Sequence, residues 1–299
     1  MSPDSVVPAL YALICLIWGS TWLVIKIGLE GVPPFLGAGL RFALGAAVLA
    51  ALTAAREPGA PLDRDDKIAI WSSGLLSFTL SYACVYWAEQ YISSGLTAIL
   101  YCTMPLVVAL LSRFWTRAET LSSRKIGGIL VAMLGTLLLF WPGRGVTRGQ
   151  LLGMASALVS AAAAAVNLVM LKRHSRRTDI FRLNGYAMAI GAACLLCLSA
   201  LTESYGSVAW SRANVSAIVY LALVGSVTAF LSYTYLVKVM DATKLSMITL
   251  IFPLIAVALG CAFLHEQTTV RTWLGMATVL AGVALALVPP ELLLARRVR

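Results

Sequence analysis

Polar and aromatic side chains in the middle of the first apolar stretch are candidates for binding a small molecule. Trp18, Ser20 and Thr21 lie near its centre, far from the charged residues at its ends. A tryptophan at this depth could face lipid or pack against a neighbour. Because the adjoining residues are small or carry hydroxyl groups, we predict instead that this segment forms the wall of a substrate-binding cavity.

A second set of candidates follows a helical spacing. Tyr82, Tyr86 and Gln90 occupy positions i, i+4 and i+8, which share one face of a helix. A tyrosine hydroxyl in apolar surroundings needs a hydrogen-bond partner or water. The spacing therefore predicts that these three residues line the same water-filled cavity, with Tyr101 and Tyr233 as weaker candidates.

Two prolines and one asparagine occur inside other apolar stretches. Pro105 and Pro253 have no backbone N–H, so each leaves a carbonyl of the preceding turn without its helical donor. We predict that they are hinges or expose a carbonyl to the cavity; a kink without functional contact is the alternative. Asn167 is predicted to form a hydrogen bond between helices or to bind substrate.

The composition places these residues in a membrane. The sequence is 60% hydrophobic and 12% charged, whereas a soluble chain carries roughly 25% charged residues. This excludes a water-soluble enzyme, a disordered chain and a basic nucleic-acid-binding protein. We predict an all-α polytopic membrane protein, because a spanning helix needs about 20 apolar residues. Apolar stretches predict ten spans at about 8–28, 33–55, 67–88, 94–112, 124–141, 149–170, 181–201, 214–237, 245–263 and 271–288.

The basic residues predict the orientation of these spans. Seventeen of them lie in the loops 56–67, 113–125, 172–182 and 238–244 and at the C-terminus. The loops of the other side carry four, namely Arg144, Arg148, Arg212 and Arg271. Because basic loops stay in the cytoplasm, both termini are predicted to be cytoplasmic. The net charge of +10 is thus explained by topology, and the expected partner is the lipid bilayer rather than nucleic acid.

The second half of the sequence repeats a pattern of the first. Pro105 and Leu106 are followed by Glu119, Arg124, Gly128 and Gly135; Pro253 and Leu254 are followed by Glu266, Arg271, Gly275 and Gly282. Each half, 1–146 and 147–299, would hold five helices, an odd number, so the halves must enter the membrane from opposite sides. Inverted repeats are typical of secondary transporters, which bind substrate near the midplane between the halves. A monomer is expected, since one chain contains both halves.

Other classes of membrane protein fit the residues less well. A repeat kept only for helix packing could belong to a receptor or a membrane-embedded enzyme. The sequence has no HExxH or GxSxG motif and no histidine at membrane depth, so we predict no enzymatic activity. We predict no cofactor or metal, because the C-x-x-C at Cys194 and Cys197 has no His, Asp or Glu nearby.

The start of the sequence resembles a known family. Trp-Gly-Ser-Thr-Trp at 18–22, Ile-Lys at 25–26, Val-Pro-Pro at 32–34 and Leu-Arg-Phe at 40–42 are similar to the opening of EamA proteins of the drug/metabolite transporter superfamily. The resemblance implies ten helices in two inverted five-helix units and, among the members of the family, amino-acid export across the bacterial inner membrane. The first helix of the second unit, with Ala-rich residues 157–165, lacks the Trp-Gly-Ser/Thr segment, which implies an asymmetric substrate site.

The charged residues at membrane depth bear on the mechanism. Arg41 could hold Glu30 or Glu89, could meet a substrate carboxylate, or could serve as a gating residue. All 13 acidic residues are predicted to lie at termini, in loops or at span ends. A proton-driven carrier keeps a titratable group deep in the membrane. We therefore predict alternating-access export of aromatic and other neutral amino acids without an obligatory buried proton relay; the alternative is export of other metabolites or drugs, with proton coupling.

Overall fold

In the computed structural model the described chain is helical. The structure describes residues 3–56, 61–111, 123–140, 147–175, 177–206, 208–240, 245, 248–266 and 268–287, and these form eleven helices and no strand. The helices are α1 Pro3–Gly28, α2 Pro34–Ala54, α3 Arg64–Ala88, α4 Ser94–Tyr101, α5 Met104–Leu111, α6 Ser123–Phe140, α7 Arg148–His174, α8 Ile180–Thr202, α9 Arg212–Val239, α10 Ile248–Leu264 and α11 Val270–Leu287.

Six of these helices, α1, α2, α3, α7, α8 and α9, contain spans long and apolar enough to cross a membrane. They coincide with six of the ten predicted spans. The other four predicted spans correspond to the helix pair α4 and α5, to α6, to α10 and to α11. Within the described residues these spans are shorter than the six long helices. Residues 112–122, 141–146 and 241–244, which include Glu119, Arg144 and parts of the predicted loops 113–125 and 238–244, lie outside the described residues.

Local sequence explains where several helices begin. Side chains cap the first turns of α3, α7 and α9 in capping boxes formed by Asp63 with Asp66, Thr147 with Gln150, and Ser211 with Asn214. In each box both side chains bond to free backbone N–H groups, which fixes the first residue of the helix. The helix α2 has no such cap, because prolines precede and open it.

Two of the described helices contain a π-helical segment, at Ser73–Ser81 in α3 and at Leu223–Thr228 in α9. Hydroxyl groups bond to the widened backbone five residues earlier: the Oγ1 of Thr79 donates to the carbonyl of Gly74, and the Oγ of Ser226 to that of Leu221. Such segments occur often at functional sites. They change which face of each helix the following residues present.

In the principal packing pairs, a helix within residues 3–140 packs against a helix within residues 148–287. The helix α2 packs on α8, α6 on α11, α1 on α10, and α7 on α3, α4 and α5. The α6–α11 pair is antiparallel, since the backbone of Gly135 approaches that of Gly275 while Gly282 approaches Gly128. A Cβ built on Gly135 would lie 2.9 Å from the Gly275 carbonyl oxygen, which shows how closely the two backbones approach.

Hydrogen bonds connect the termini of neighbouring helices at both ends of the helical bundle. At the first, which we call the Glu266 end, the carboxylate of Glu266 accepts from the backbone N–H of Ser94 at 2.8 Å. There the carboxylate of Glu203 also accepts from the N–H groups of Phe35 and Leu36 at 2.7 and 2.9 Å, which caps α2. At the second, the His174 end, Nδ1 of His174 lies 2.8 Å from Oδ1 of Asp65. Both ends therefore contain contacts between the two parts of the chain.

Candidate functional site

A cavity of about 100 Å³ lies between helices from both parts of the chain. A water molecule needs about 10–15 Å³, so this cavity has room for several waters or a small polar solute. Its wall contains side chains of α1, α3, α4, α5, α7, α8, α9 and α10. Seven residues predicted from the sequence line it: Trp18, Thr21, Tyr82, Tyr101, Pro105, Asn167 and Tyr233.

Aromatic rings form much of this wall. The ring of Trp18 lies 5.0 Å from that of Tyr233, and the ring of Trp22 lies 5.5 Å from that of Tyr101, centroid to centroid. The indole N–H groups of Trp18 and Trp22 are buried and have no acceptor among the described residues. Because an unpaired buried donor costs about 1–3 kcal/mol, a water or ligand acceptor in the cavity would stabilise both.

Amide and hydroxyl groups complete the wall. The Oγ of Ser73 donates to Oδ1 of Asn167 at 3.1 Å, so the predicted interhelical hydrogen bond of Asn167 is present. On the opposite side, Nδ2 of Asn184 donates to Oγ1 of Thr234 at 3.1 Å. The described lining includes no charged side chain. The cavity is therefore neutral, aromatic and partly polar.

Three of the residues predicted to bind substrate are absent from the described lining: Ser20, Tyr86 and Gln90. The Oγ of Ser20 lies 2.7 Å from the hydroxyl of Tyr220, on the side of α1 that meets α9. Gln90 is exposed, because α3 ends at Ala88 and the helical spacing stops there. Tyr86 lies beside Arg41 instead, with its hydroxyl 3.5 Å from Nη1.

Arg41 is fully buried and connects three helices. Its Nε donates to Oγ of Ser226 at 2.7 Å, and its Nη2 donates to the carbonyl of Gly225 at 3.1 Å, both in the π-helical segment of α9. Its guanidinium carbon lies 4.8 Å from the ring centroid of Tyr82, a residue of the cavity wall. These contacts replace the predicted bonds to Glu30 or Glu89. Arg41 is thus absent from the described lining but contacts the wall residue Tyr82.

The two prolines occupy different local structures. Pro253 lies inside α10, and the carbonyl four residues earlier, that of Thr249, accepts a hydrogen bond from the thiol of Cys102. The sequence predicted that this carbonyl lacks its helical donor; the thiol from which it accepts belongs to Cys102, in the break between α4 and α5. Pro105 instead stands near the start of α5, after a break between α4 and α5 at Cys102 and Thr103. Hinge movement at either proline stays a prediction.

Glu89 corrects the expectation that no carboxylate is buried. It follows the last residue of α3, at a span end as predicted, but its exposed fraction is 0%. Both carboxylate oxygens lack a hydrogen-bond partner within the described part of the chain. The ammonium group of Lys26 donates to the backbone carbonyls of Glu89 and Ile92 rather than to the carboxylate. Hydropathy did not indicate this burial, because it results from packing between helix ends.

The cavity extends between the two ends of the molecule. Its lining includes Leu171 and Asn184, which lie about one turn from the His174 end. In the other direction the lining stops at Ile25 and Val85. Lys26 and the hydrogen-bonded segments of the Glu266 end follow immediately beyond these residues. The cavity therefore reaches within about one turn of the helix ends on both sides, on α7 and α8 near the His174 end and on α1 and α3 near the Glu266 end.

Some residues of the wall were not predicted as binding residues. Trp22 lies one turn above Trp18, and this spacing could have identified it. Phe230, Phe252 and Asn184 also line the cavity. The phenylalanines have no polar group to distinguish them from ordinary packing residues, and Asn184 lies near a span end.

The model of the EamA-like transporter family matches this sequence twice, at residues 7–141 and 151–288. The chain belongs to the EamA-like transporter family. It is therefore a membrane transporter and not an enzyme. As an EamA-like transporter, it has its cavity where helices from both matched regions meet.

Other EamA-like transporters are similar over nearly their whole length. The uncharacterized transporter YoaV of Bacillus subtilis is 27% identical, with 90% of this chain and 92% of that protein covered. The uncharacterized inner membrane transporter YedA of Escherichia coli is 29% identical, with 93% and 89% covered. A solved crystal structure at 23% identity has a TM-score of 0.69 and covers 97% of this chain and 99% of its own, a likeness of fold.

Proposed function

We propose that this EamA-like transporter exports amino acids, aromatic and other neutral ones, from the bacterial cytoplasm across the inner membrane. The observation that carries this proposal is the pair of unpartnered indole N–H groups of Trp18 and Trp22 in a cavity whose described lining has no charge. A zwitterion supplies a carboxylate as acceptor for these donors. Its ammonium group can lie on the aromatic faces, where cation–π attraction stabilises it.

Ten helices in two inverted halves, 1–146 and 147–299, are part of this proposal. The antiparallel contact of α6 with α11 supports it, since Gly128 meets Gly282 and Gly135 meets Gly275. The repeat aligns Gly128 with Gly275 and Gly135 with Gly282, so each of these two contacts is the counterpart of the other. The packing pairs support it too: α1 with α10 corresponds to α7 with α4 and α5. Substrate would bind between the halves, and one chain would act as a monomer in the bilayer.

The proposed orientation in the membrane implies which side of the transporter is closed in this structure. If the loops rich in Lys and Arg are cytoplasmic, the His174 end faces the cytoplasm and the Glu266 end faces outward. The hydrogen bonds of Glu266 and Glu203 then close the outer end, which fits an inward-facing conformation. Alternating access requires the contacts of Glu266 and Glu203 to break when the transporter opens outward.

Counterflow of radiolabelled amino acids into proteoliposomes tests this function. We expect the purified protein to exchange at least one aromatic or neutral amino acid. Trp18→Ala should lower this exchange about tenfold, because the cavity loses a donor and an aromatic face, together worth at least about 1.4 kcal/mol. Tyr82→Ala should act in the same direction.

Trp71 offers a matched control for these variants. Its side chain is 56% exposed on the surface of α3, so Trp71→Ala removes an indole without changing the cavity. Exchange by this variant should equal that of the wild type. Counterflow with no amino acid, but with another metabolite or a drug, would favour the alternative cargo and contradict the amino-acid assignment.

A further inference from the structure

The environment of Glu89 is unlike that of the other carboxylates at the Glu266 end. Glu203 and Glu266 each accept backbone N–H bonds in the first turn of a helix, and Glu30 is exposed. Glu89 is completely buried, and among the described residues neither of its oxygens has a donor. An ionised carboxylate without hydrogen bonds or water is strongly disfavoured, whereas a protonated carboxyl group is tolerated far better.

The charges around Glu89 do not remove this penalty. Lys26 from α1 and Arg41 from α2 favour the ionised form, while Glu266 from the segment after α10 opposes it. Lys26 directs its ammonium group to backbone carbonyls, and Arg41 bonds to α9. The helix α7 packs against Ala88 and Tyr91 through Gly149 and Gly153, which add no charge. Burial prevails over these effects and raises the pKa of the Glu89 carboxyl well above its ordinary value.

We propose that Glu89 is a proton-binding site whose occupancy is coupled to the Glu266 end: the carboxyl group holds a proton while that end is closed. When the end opens, water reaches the carboxyl group, and the proton passes to that water. The inference rests on the proposed alternating access, since opening of this end is one of its steps. It also replaces the expected absence of a buried proton group by a specific residue.

Proton binding at Glu89 favours the closed Glu266 end over the open one. The closed form binds one proton more than the open form at pH values above the ordinary carboxyl pKa and below the raised one. Within that window, lowering the pH by one unit favours the closed Glu266 end about tenfold. A glutamine at position 89 mimics the protonated carboxyl group, so it should remove this dependence.

Infrared difference spectroscopy of the full chain in lipid vesicles tests proton occupancy directly. We expect the wild type to show the carbonyl stretch of a protonated carboxyl group at about pH 7, well above the ordinary carboxyl pKa of about 4.3. Glu89→Gln should lose this band and still fold, since the amide has the same shape. Glu30→Gln, the same change at an exposed carboxylate, should keep it. A wild-type spectrum without the band would overturn the proposal.

Distances between spin labels at Gln90→Cys and Gly206→Cys test the coupling to conformation. Both positions are exposed at the Glu266 end, and the six native cysteines are replaced in this background. The ratio of long to short distances should rise about tenfold per pH unit in the parent protein and stay constant with Glu89→Gln. A ratio independent of pH in the parent, or equally dependent in both, would contradict the coupling. Neither measurement needs a substrate, so a failed counterflow assay affects only the proposed cargo.

Discussion

Gly282→Ala is expected to destabilise the transporter by about 3 kcal/mol, although it adds a single methyl group. The added Cβ would lie 2.6 Å from the carbonyl oxygen of Gly128 and nearer still to the backbone of Ala132. Backbone atoms of a helix cannot move aside as a flexible side chain can, so α6 and α11 must separate along their contact. Thermal unfolding in detergent, followed by size-exclusion chromatography, measures this loss.

The chain supplies both a repeat of this experiment and its control. Gly135→Ala places a Cβ 2.6 Å from the backbone nitrogen of Val279 and should destabilise by a similar amount. Gly127 lies on the same helix, but a Cβ there has no atom within 4 Å. Gly127→Ala should leave the unfolding temperature unchanged or slightly raised. Equal stability of all three variants would show that α6 and α11 do not pack as described.

Arg41→Lys is expected to lower stability by about 2–4 kcal/mol, even though the charge is kept. The guanidinium group binds Ser226, Gly225 and Tyr86 in three directions and stacks near Tyr82. A lysine ammonium group is compact and cannot reproduce this planar arrangement. The acceptors that it leaves would be buried without a donor. Counterflow should fall as well, because Tyr82 loses its support in the cavity wall.

Arg56→Lys is the matched control for Arg41→Lys. Arg56 is exposed, and its guanidinium carbon lies 4.2 Å from the ring centroid of Phe181 at the His174 end. An exposed contact of this kind is worth about 0.5–1 kcal/mol, so its loss should change thermal unfolding little. If the two variants unfolded at the same temperature, the buried network of Arg41 would not contribute to stability as proposed.

The sequence predicted the features that depend on long stretches of residues. Apolar length located the long helices, because the cost of a polar backbone in lipid requires continuous helix. The aromatic and hydroxyl residues at the centre of the first stretch include Trp18 and Thr21, which do line the cavity. These predictions depend on local covalent structure and on the thickness of a bilayer.

Features set by packing between distant segments were not predictable in this way. Ser20 and Thr21 are adjacent and chemically alike, yet only Thr21 lines the cavity among the described residues. The π-helical segment of α3 ends just before Tyr82, so a regular spacing from the start of the helix does not give the facing side. Glu89 is buried where α1, α3 and α7 pack together. A pattern within one apolar stretch does not indicate which helices pack against it.

These two π-helical segments, Ser73–Ser81 and Leu223–Thr228, lie at corresponding places in the third helix of each region that matches the EamA-like family, 7–141 and 151–288. An irregularity shared by both copies is most simply inherited from one ancestral gene before it was duplicated. The widened turns would then be older than the specialisation of either copy. Ancestral reconstruction of a single matched region should accordingly retain such a turn. Deletion of one residue from that turn should rotate the rest of the helix by about 100°.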